Sequence, residues 1–465
     1  MSARAREKPR TQADHSNWTL VTCVLASSLS FVEGSVLSVA LPAIRASFGA
    51  GAAEVQWVVN AYLLPLSALL LLGGALGDHY GRRLLLIIGT SIFAVTSLLC
   101  ALAPSLPVLL AARAAQGIGA ALLLPNSLAL LNSAFEGEKR GRAVGIWAAC
   151  GAAAAAIAPL IGGWLVGSVG WPAIFYINLP LALGAILLAL RFVAESSEAG
   201  AGRTDYAGAL LVTAGLGGVT YALTLWSAST RFSVTAVATL VAGAVLLAAF
   251  LLVELRKKQR AMMPLTLFED RCFSGLNLMT FLLYGAFGAA MLLIPYVLIT
   301  SGGYTPVQAG LAMLPLPILM TSLSPTMGGI AMRMGPRVPL TVGPLIVTVG
   351  MVLSRLMTPN SAYWTSVFPT VLVMAVGMTI AVAPLTSSVL GAVEEQHVAM
   401  ASGFNSAVAR LGGLIATALL GSVLGQEGEA LFGGFHGAMF VSAAVAAAAG
   451  IVALTMLGGV KMRKT

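Results

Sequence analysis

Glu33 lies inside the apolar stretch 18–41, and Arg113 lies inside another, 106–131. A lone charge in such surroundings is costly, so a buried acid and a buried base must be paired or put to use. Burial favours the protonated form of a carboxylate, whereas a nearby guanidinium favours the ionised form. A group balanced between these effects can take up a proton and give it away. Exchange of a proton for another ligand is therefore the chemistry that these two residues suggest. The alternative is a static ion pair that orders two helices, although such a pair adds little stability for the cost of burying it.

Other chemistry is poorly represented. Gly117-Ile-Gly119 resembles the start of a dinucleotide loop, but it lacks the third glycine and a preceding strand. No GxxxxGK[ST] run is present, so the sequence carries no ATP motor of its own. His15, His79, His397 and His436 stand singly, and Cys23, Cys100, Cys150 and Cys272 are scattered through apolar runs without a CxxC spacing. No metal, catalytic or cofactor site is expected from them.

The elements that must position Glu33 and Arg113 follow from composition. Of 465 residues, 58% are hydrophobic and 9% charged, with a mean hydropathy of +0.92. Soluble domains carry about 25% charged residues, so this chain is expected to be an all-α integral membrane protein. The same balance excludes a disordered, collagen-like or disulfide-framework chain. The first apolar run follows a polar leader of 17 residues and is too long for a signal-peptide core.

Runs long enough to cross a bilayer number fourteen: 18–41, 55–77, 84–103, 106–131, 143–167, 172–193, 206–226, 233–254, 273–299, 306–331, 338–357, 364–391, 399–425 and 431–458. With an even number of spans both termini share one side. That side then holds 21 Lys and Arg residues, among them Arg82, Arg83, Lys139, Arg203, Lys257, Lys258, Arg260 and Lys461, against Arg45 and Arg231 opposite. Positive residues favour the cytoplasm, so both termini are expected there, and the net charge of +9 needs no nucleic acid to explain it. Arg113, Arg355 and Arg410 remain inside spans.

The breaks at 194–205 and 255–272 bracket two spans, which predicts a six, two, six arrangement. The divisions are a tail 1–17, a bundle 18–193, two central helices 206–254, a second bundle 273–458 and a tail 459–465. Gly74 to Arg83 (GALGDHYGRR) and Gly328 to Arg337 (GGIAMRMGPR) are weakly alike and fall at matching places in the two halves, with Met332 in the second copy where Asp78 stands in the first. Parallel repeats of this kind are one way to build a central substrate path. At 1.5 Å per residue, Glu33 lies about 22 Å from the cytoplasmic start of its helix and Arg113 about 10 Å from the outer start of its own. In a core of about 30 Å these depths agree, so the two can face each other. Asp78 could meet a helix N-terminus or an arginine across the interface between the halves.

These residues carry a family resemblance. GALGDHYGRR resembles the loop 2–3 signature of the major facilitator superfamily, with His79 replacing the usual Arg. Leu109 to Ala121, containing Arg113, Gln116, Gly117 and Gly119, resembles the fourth-span signature. Ala158-Pro159-Leu-Ile-Gly162-Gly163 is similar to the antiporter signature of the fifth span, with Ala158 in place of its first glycine. Val32 to Pro42 resembles the first-span signature of the fourteen-span drug:proton antiporter branch (QacA/EmrB-like), with Glu33 for the family Asp and Ser38 for its Asn. Val55 to Tyr62 and Gly170 to Pro180 are similar to that branch as well.

The resemblance implies a major facilitator fold: two six-helix bundles plus two extra central helices, fourteen transmembrane helices in all, working by alternating access in the cytoplasmic (inner) membrane. It implies proton coupling by Glu33 tuned by Arg113. Gly74, Asp78, Gly81, Arg82 and Arg83 would form a cytoplasmic gate motif, and Pro159, Gly162 and Gly163 would allow bending and close packing. No cofactor is implied, the proton gradient being the energy source. The partners implied are a small amphipathic organic substrate, protons and membrane lipids, with no nucleic acid and a functional monomer. The residues do not specify a periplasmic adaptor.

Trp57, Asn60, Tyr62, Gln116, Asn126, Trp147, Asn405 and Arg410 are candidate substrate-cavity residues, because aromatic faces and a few polar groups suit amphipathic molecules. Each also has a plainer reading, as packing, as an interfacial anchor or as a hydrogen bond between helices. Broad drug efflux, export of one endogenous metabolite such as an antibiotic, siderophore or amino-acid derivative, and a non-transporting membrane sensor or scaffold all remain open.

Overall fold

A computed structural model of the chain describes residues 8–197, 205–229, 233–257, 265–359, 361–393 and 398–457. Arg4, Arg6, Arg203, Arg231, Lys258, Arg260 and the tail 459–465 lie outside the described residues, as does the side chain of Met332. Among the described residues there are helices and turns but no strand. That is what a bilayer imposes, since a helix satisfies its own backbone where no water can.

The helices in chain order are α1 (Lys8–Phe48), α2 (Ala52–Tyr80), α3 (Arg82–Ala101), α4 (Leu106–Ala134), α5 (Gly137–Ser168), α6 (Ala173–Tyr176), α7 (Asn178–Phe192), α8 (Tyr206–Ser229), α9 (Val234–Lys257), α10 (Arg271–Thr300), α11 (Pro306–Ala312), α12 (Pro315–Met334), α13 (Arg337–Leu353), α14 (Phe368–Gly391), α15 (Val398–Ala418), α16 (Gly421–Leu424) and α17 (Gly428–Met456). Their outward faces are apolar: Leu210, Val234 and Trp164 are all largely exposed. In water such surfaces would drive association, whereas lipid accepts them.

Twelve helical segments among the described residues are long and apolar enough to cross a membrane, in place of the fourteen expected. The two expected spans outside that set are 143–167 and 399–425. Both are helical, as α5 and α15. Part of α5 falls among residues whose side chains are not described, leaving a shorter apolar piece, Ala153–Ser168. In α15 the polar residues Asn405 and Arg410 dilute an already short apolar run.

Several expected spans are also broken. Span 172–193 divides into α6 and α7 at Ile177, and span 306–331 divides between Ala312 and Pro315. Proline lacks the N–H needed to continue a helix ladder, and Pro315 accordingly starts α12. Arg355, expected within span 338–357, is exposed in the turn Ser354–Leu356 beyond the end of α13. Arg45, expected in an outer loop, belongs to the last turn of α1.

The core consists of two clusters. One is built on Leu29, Leu66, Phe93 and Leu123 of the first four helices. The other runs through α10, α13, α14 and α17 and reaches the far end of α1. The two helices expected to be central differ in burial. α8 packs on α2, α15 and α16, whereas α9 packs on α8 and buries only Ala236, Gly243 and Glu254. Asp205 at the start of α8 pairs with Lys257 at the end of α9 and accepts from the Gly208 amide at 2.7 Å.

Candidate functional site

Burial dominates the site geometry. Glu33 of α1 is 0% exposed and Arg113 of α4 is 1% exposed. The guanidinium Nη1 donates to Oε1 of Glu33, and the same nitrogen reaches Oε1 of Gln116 at 2.7 Å. Nε of Arg113 donates to the Val58 carbonyl of α2 at 3.0 Å. Its guanidinium lies over the Tyr62 ring, 4.6 Å from the centroid, and 5.8 Å from that of Phe175. A planar cation between aromatic faces and anchored through two of its edges has little freedom to leave.

The second carboxylate oxygen is also occupied. Asn178 Nδ2 donates to Oε2 of Glu33 at 3.1 Å, and Gln116 Nε2 approaches it at 3.4 Å. Both amides also donate to the Ser97 hydroxyl, at 3.3 and 2.9 Å. Tyr62 joins the edge of this network, its hydroxyl 2.8 Å from that of Ser30. Five helices, α1, α2, α3, α4 and α7, therefore contribute to one polar cluster, and every contact to the acid comes from a donor. Asn178 and Ser97 were not among the expected site residues. The signal was available for Asn178, a lone amide in the apolar run Ile177 to Leu181 where the helix restarts, but a single serine in a span carries no such mark.

The turn between α2 and α3 is a separate cluster. Gly81 holds φ 115°, a conformation that residues with a Cβ rarely adopt, and lets α3 start at once. Asp78 accepts from Arg82 at 2.9 Å through Nε and 2.8 Å through Nη2. In place of the expected helix N-terminus or arginine across the interface between halves, the observed partner is a residue four positions on, because the tight turn brings Arg82 back beside it. Arg83 donates to the Val193 carbonyl at 3.2 Å. Glu195 accepts from the Arg83 and Leu84 amides at 2.9 and 3.1 Å, satisfying the open N-terminus of α3. Gly74 packs beside Pro125 of α4.

In α5, Pro159 lies inside the helix, and its carbonyl would stand closer than 3.0 Å to a Cβ at Gly310 of α11. A Cβ at Gly163 would fall equally close to the Pro306 carbonyl, and one at Gly162 equally close to Val36 of α1. Only glycine lets α5 approach both neighbours at these distances.

The candidate cavity residues do not form one group. Gln116 belongs to the Glu33 network. Asn126 donates to the Gly73 and Leu122 carbonyls at 2.9 and 2.7 Å. Trp147 donates to Ser27 at 2.9 Å, and Asn405 donates to Thr280 at 2.7 Å and Asn277 at 3.1 Å. These three fasten helices to each other. Trp57 tilts against Tyr221 of α8, with ring centroids 6.1 Å apart. Asn60 is fully buried with neither amide atom partnered. Arg410 is half-buried on α15.

At the far ends of the helices, Arg45 donates to the Tyr296 hydroxyl at 2.9 Å and lies 3.5 Å from Glu427, while that hydroxyl donates to the Leu424 carbonyl at 3.0 Å. Gln56 of α2 donates to the Thr417 carbonyl of α15 at 2.8 Å. Among the described residues, no group of three or more His, Cys, Asp or Glu is arranged to hold a metal.

Residues 23–267 match the family described as the Major Facilitator Superfamily. Over 407 residues the chain is 35% identical to the multidrug resistance protein Stp of Mycobacterium tuberculosis (strain CDC 1551 / Oshkosh), covering 87% of this chain and 75% of that one. It is 34% identical over 419 residues to the cephamycin export protein CmcT of Amycolatopsis lactamdurans, covering 88% and 85%. It is 31% identical over 409 residues to the methylenomycin A resistance protein of Bacillus subtilis (strain 168), covering 87% of each. Among solved structures, a bacterial homologue of the human drug peptide transporters PepT1 and PepT2 aligns with a TM-score of 0.64 at 15% identity, covering 95% of this chain and 98% of that one. At that identity the likeness establishes the fold alone.

Proposed function

The chain belongs to the major facilitator superfamily, and from that premise we propose that it exports amphipathic drugs or related small organic molecules by exchange with protons. The observation that carries this reading is Glu33. It is a fully buried acid away from the helix ends, held by donors from Arg113, Asn178 and Gln116. Protonation of Glu33 would remove the charge that Arg113 answers and loosen a cluster shared by five helices. Coupling between proton occupancy and helix arrangement is what an exchanger requires.

Our reading of the architecture is fourteen spans with both termini cytoplasmic in the inner membrane, α5 and α15 supplying the two beyond the twelve apolar ones. The lopsided Lys and Arg distribution supports this orientation. Two six-helix bundles flank α8 and α9, and α8 bridges them through α2 on one side and α15 and α16 on the other. The cytoplasmic gate is Gly74, Asp78, Gly81, Arg82 and Arg83. Arg45, Tyr296 and Glu427 fasten the outer ends. Pro159, Gly162 and Gly163 keep α5 close to α1 and α11 while the bundles rock. The transporter works as a monomer without a cofactor, driven by the proton gradient.

Export of one dedicated compound is the second reading, favoured by relatives that are named for single antibiotics, cephamycin and methylenomycin A. Substrate-driven proton release from proteoliposomes tests the main reading. Glu33→Gln is expected to abolish release while the protein still inserts. Unchanged release would remove Glu33 from the mechanism.

A further inference from the structure

Among the described residues, Arg410 is a cation without a counter-charge. Its helix, α15, is fixed against α10 by Asn405, which donates to Thr280 and Asn277, and by Gly412, where a Cβ would fall closer than 3.0 Å to the Phe281 carbonyl. The same helix is fixed against α2, where Gly403 lies beside Leu71 and Thr417 accepts from Gln56. Arg410 falls between these contacts, within electrostatic reach of Tyr62 on α2 and Tyr284 on α10. It therefore faces the junction between the two bundles.

Among the described residues no carboxylate pairs with Arg410, and it makes no hydrogen bond. Nearby groups offer it little. Glu33, whose field also reaches Tyr62, is occupied by Arg113, and the Tyr62 hydroxyl is engaged with Ser30. The region around Tyr62 therefore carries one acid and two guanidiniums. Arg113 is sealed at 1% exposed, whereas Arg410 remains partly accessible. An uncompensated cation deep among membrane helices is expensive, and it becomes favourable when a ligand brings the missing negative charge. A cationic molecule at the same place would add repulsion.

Resting on the export reading, we propose that Arg410 anchors the substrate and that the exported compounds carry an anionic group, a carboxylate or an acidic phenol, on an apolar body. Tyr284, half-buried on α10, supplies a flat face for that body, while the Tyr62 ring is already covered by Arg113, and the guanidinium fork selects the charge.

Three matched probes test this: 1-pyrenebutyrate, its neutral methylamide, and a pyrenebutyl trimethylammonium cation. Binding to the purified full-length protein in detergent is followed by fluorescence polarisation, and transport by proton-driven uptake into inverted vesicles. The wild type is expected to bind pyrenebutyrate at least about tenfold more tightly than the cation. Arg410→Met should remove that preference, and Arg410→Lys, which keeps the charge, should restore most of it. The anchor is overturned if pyrenebutyrate fails to bind the wild type, if the cation binds equally well, or if Arg410→Met leaves the preference intact. Charge-selective binding without gradient-driven uptake would uphold the anchor and remove the export reading. Gradient-driven uptake of the cation, untouched by Arg410→Met, would do the reverse.

Discussion

Asn178 donates to Glu33 at 3.1 Å from 145 residues away in sequence, on the oxygen that Arg113 leaves open. The acid is thereby gripped on both oxygens by two helices, α4 and α7, that each pack against α1. Any change in its charge must be felt by α4 and α7 together.

The ion pair at the centre of this network should behave as one unit. Replacing either Glu33 or Arg113 by a neutral residue leaves the other charge buried alone, which costs about 3–5 kcal/mol. The double variant Glu33→Gln/Arg113→Gln is expected to recover much of that loss. Thermal unfolding of the four proteins in detergent gives the coupling energy, and strict additivity would show that the two charges do not depend on each other.

Glycine at the α5 contacts is expected to be necessary for its size alone. Gly163→Ala and Gly310→Ala each push a methyl into a backbone carbonyl of the facing helix, and overpacking of this kind costs about 1–3 kcal/mol. Gly167→Ala in the same helix meets nothing within 4 Å and serves as a control. Lowered melting temperature and slowed transport in the first two, but not the third, is the predicted pattern.

The loop residue Glu195 should matter more than its position suggests. Its carboxylate caps the start of α3, so Glu195→Ala is expected to cost about 0.5–2 kcal/mol, with Glu195→Gln intermediate. Hydrogen exchange at the Arg83 and Leu84 amides reads this directly. Unchanged protection in Glu195→Ala would mean that the cap contributes nothing.

Asp205 predicts a pH dependence. Burial opposes its ionisation, but the hydrogen bonds from Lys257, the Gly208 amide and the Glu254 carboxyl, with the Lys257 charge, outweigh it and hold its pKa below the ordinary 3.8. A carboxyl with a depressed native pKa adds stability in full above its unfolded pKa and loses it as pH falls through the native value. The melting-temperature gap between wild type and Asp205→Asn should therefore be constant at neutral pH and close as pH falls below about 4. A gap that persists into stronger acid would exclude the pair as its source.

Much of this site could be read in advance because a bilayer restricts what a sequence can do. The depths of Glu33 and Arg113 followed from the rise of a helix, and the structure brings the two into contact. Asn126, Trp147 and Asn405 show the limit of that reading. Each is polar or aromatic within an apolar run, as a cavity residue would be, yet each is used to join helices. Position along a span fixes depth but not the direction of the side chain, which depends on how the neighbouring helices pack.

The sequence by itself determined the all-helical, apolar character of the chain, the matching depths of Glu33 and Arg113 and the family signatures, because hydrophobicity, helix rise and turn chemistry are local or one-dimensional properties. Tertiary structure alone decided that Asn178 and Ser97 complete the cluster around Glu33, that Asp78 turns to Arg82, and that Arg410 has no acid beside it among the described residues. Those outcomes depend on rotation and contact among helices far apart in the chain, and no periodicity in a single helix records them.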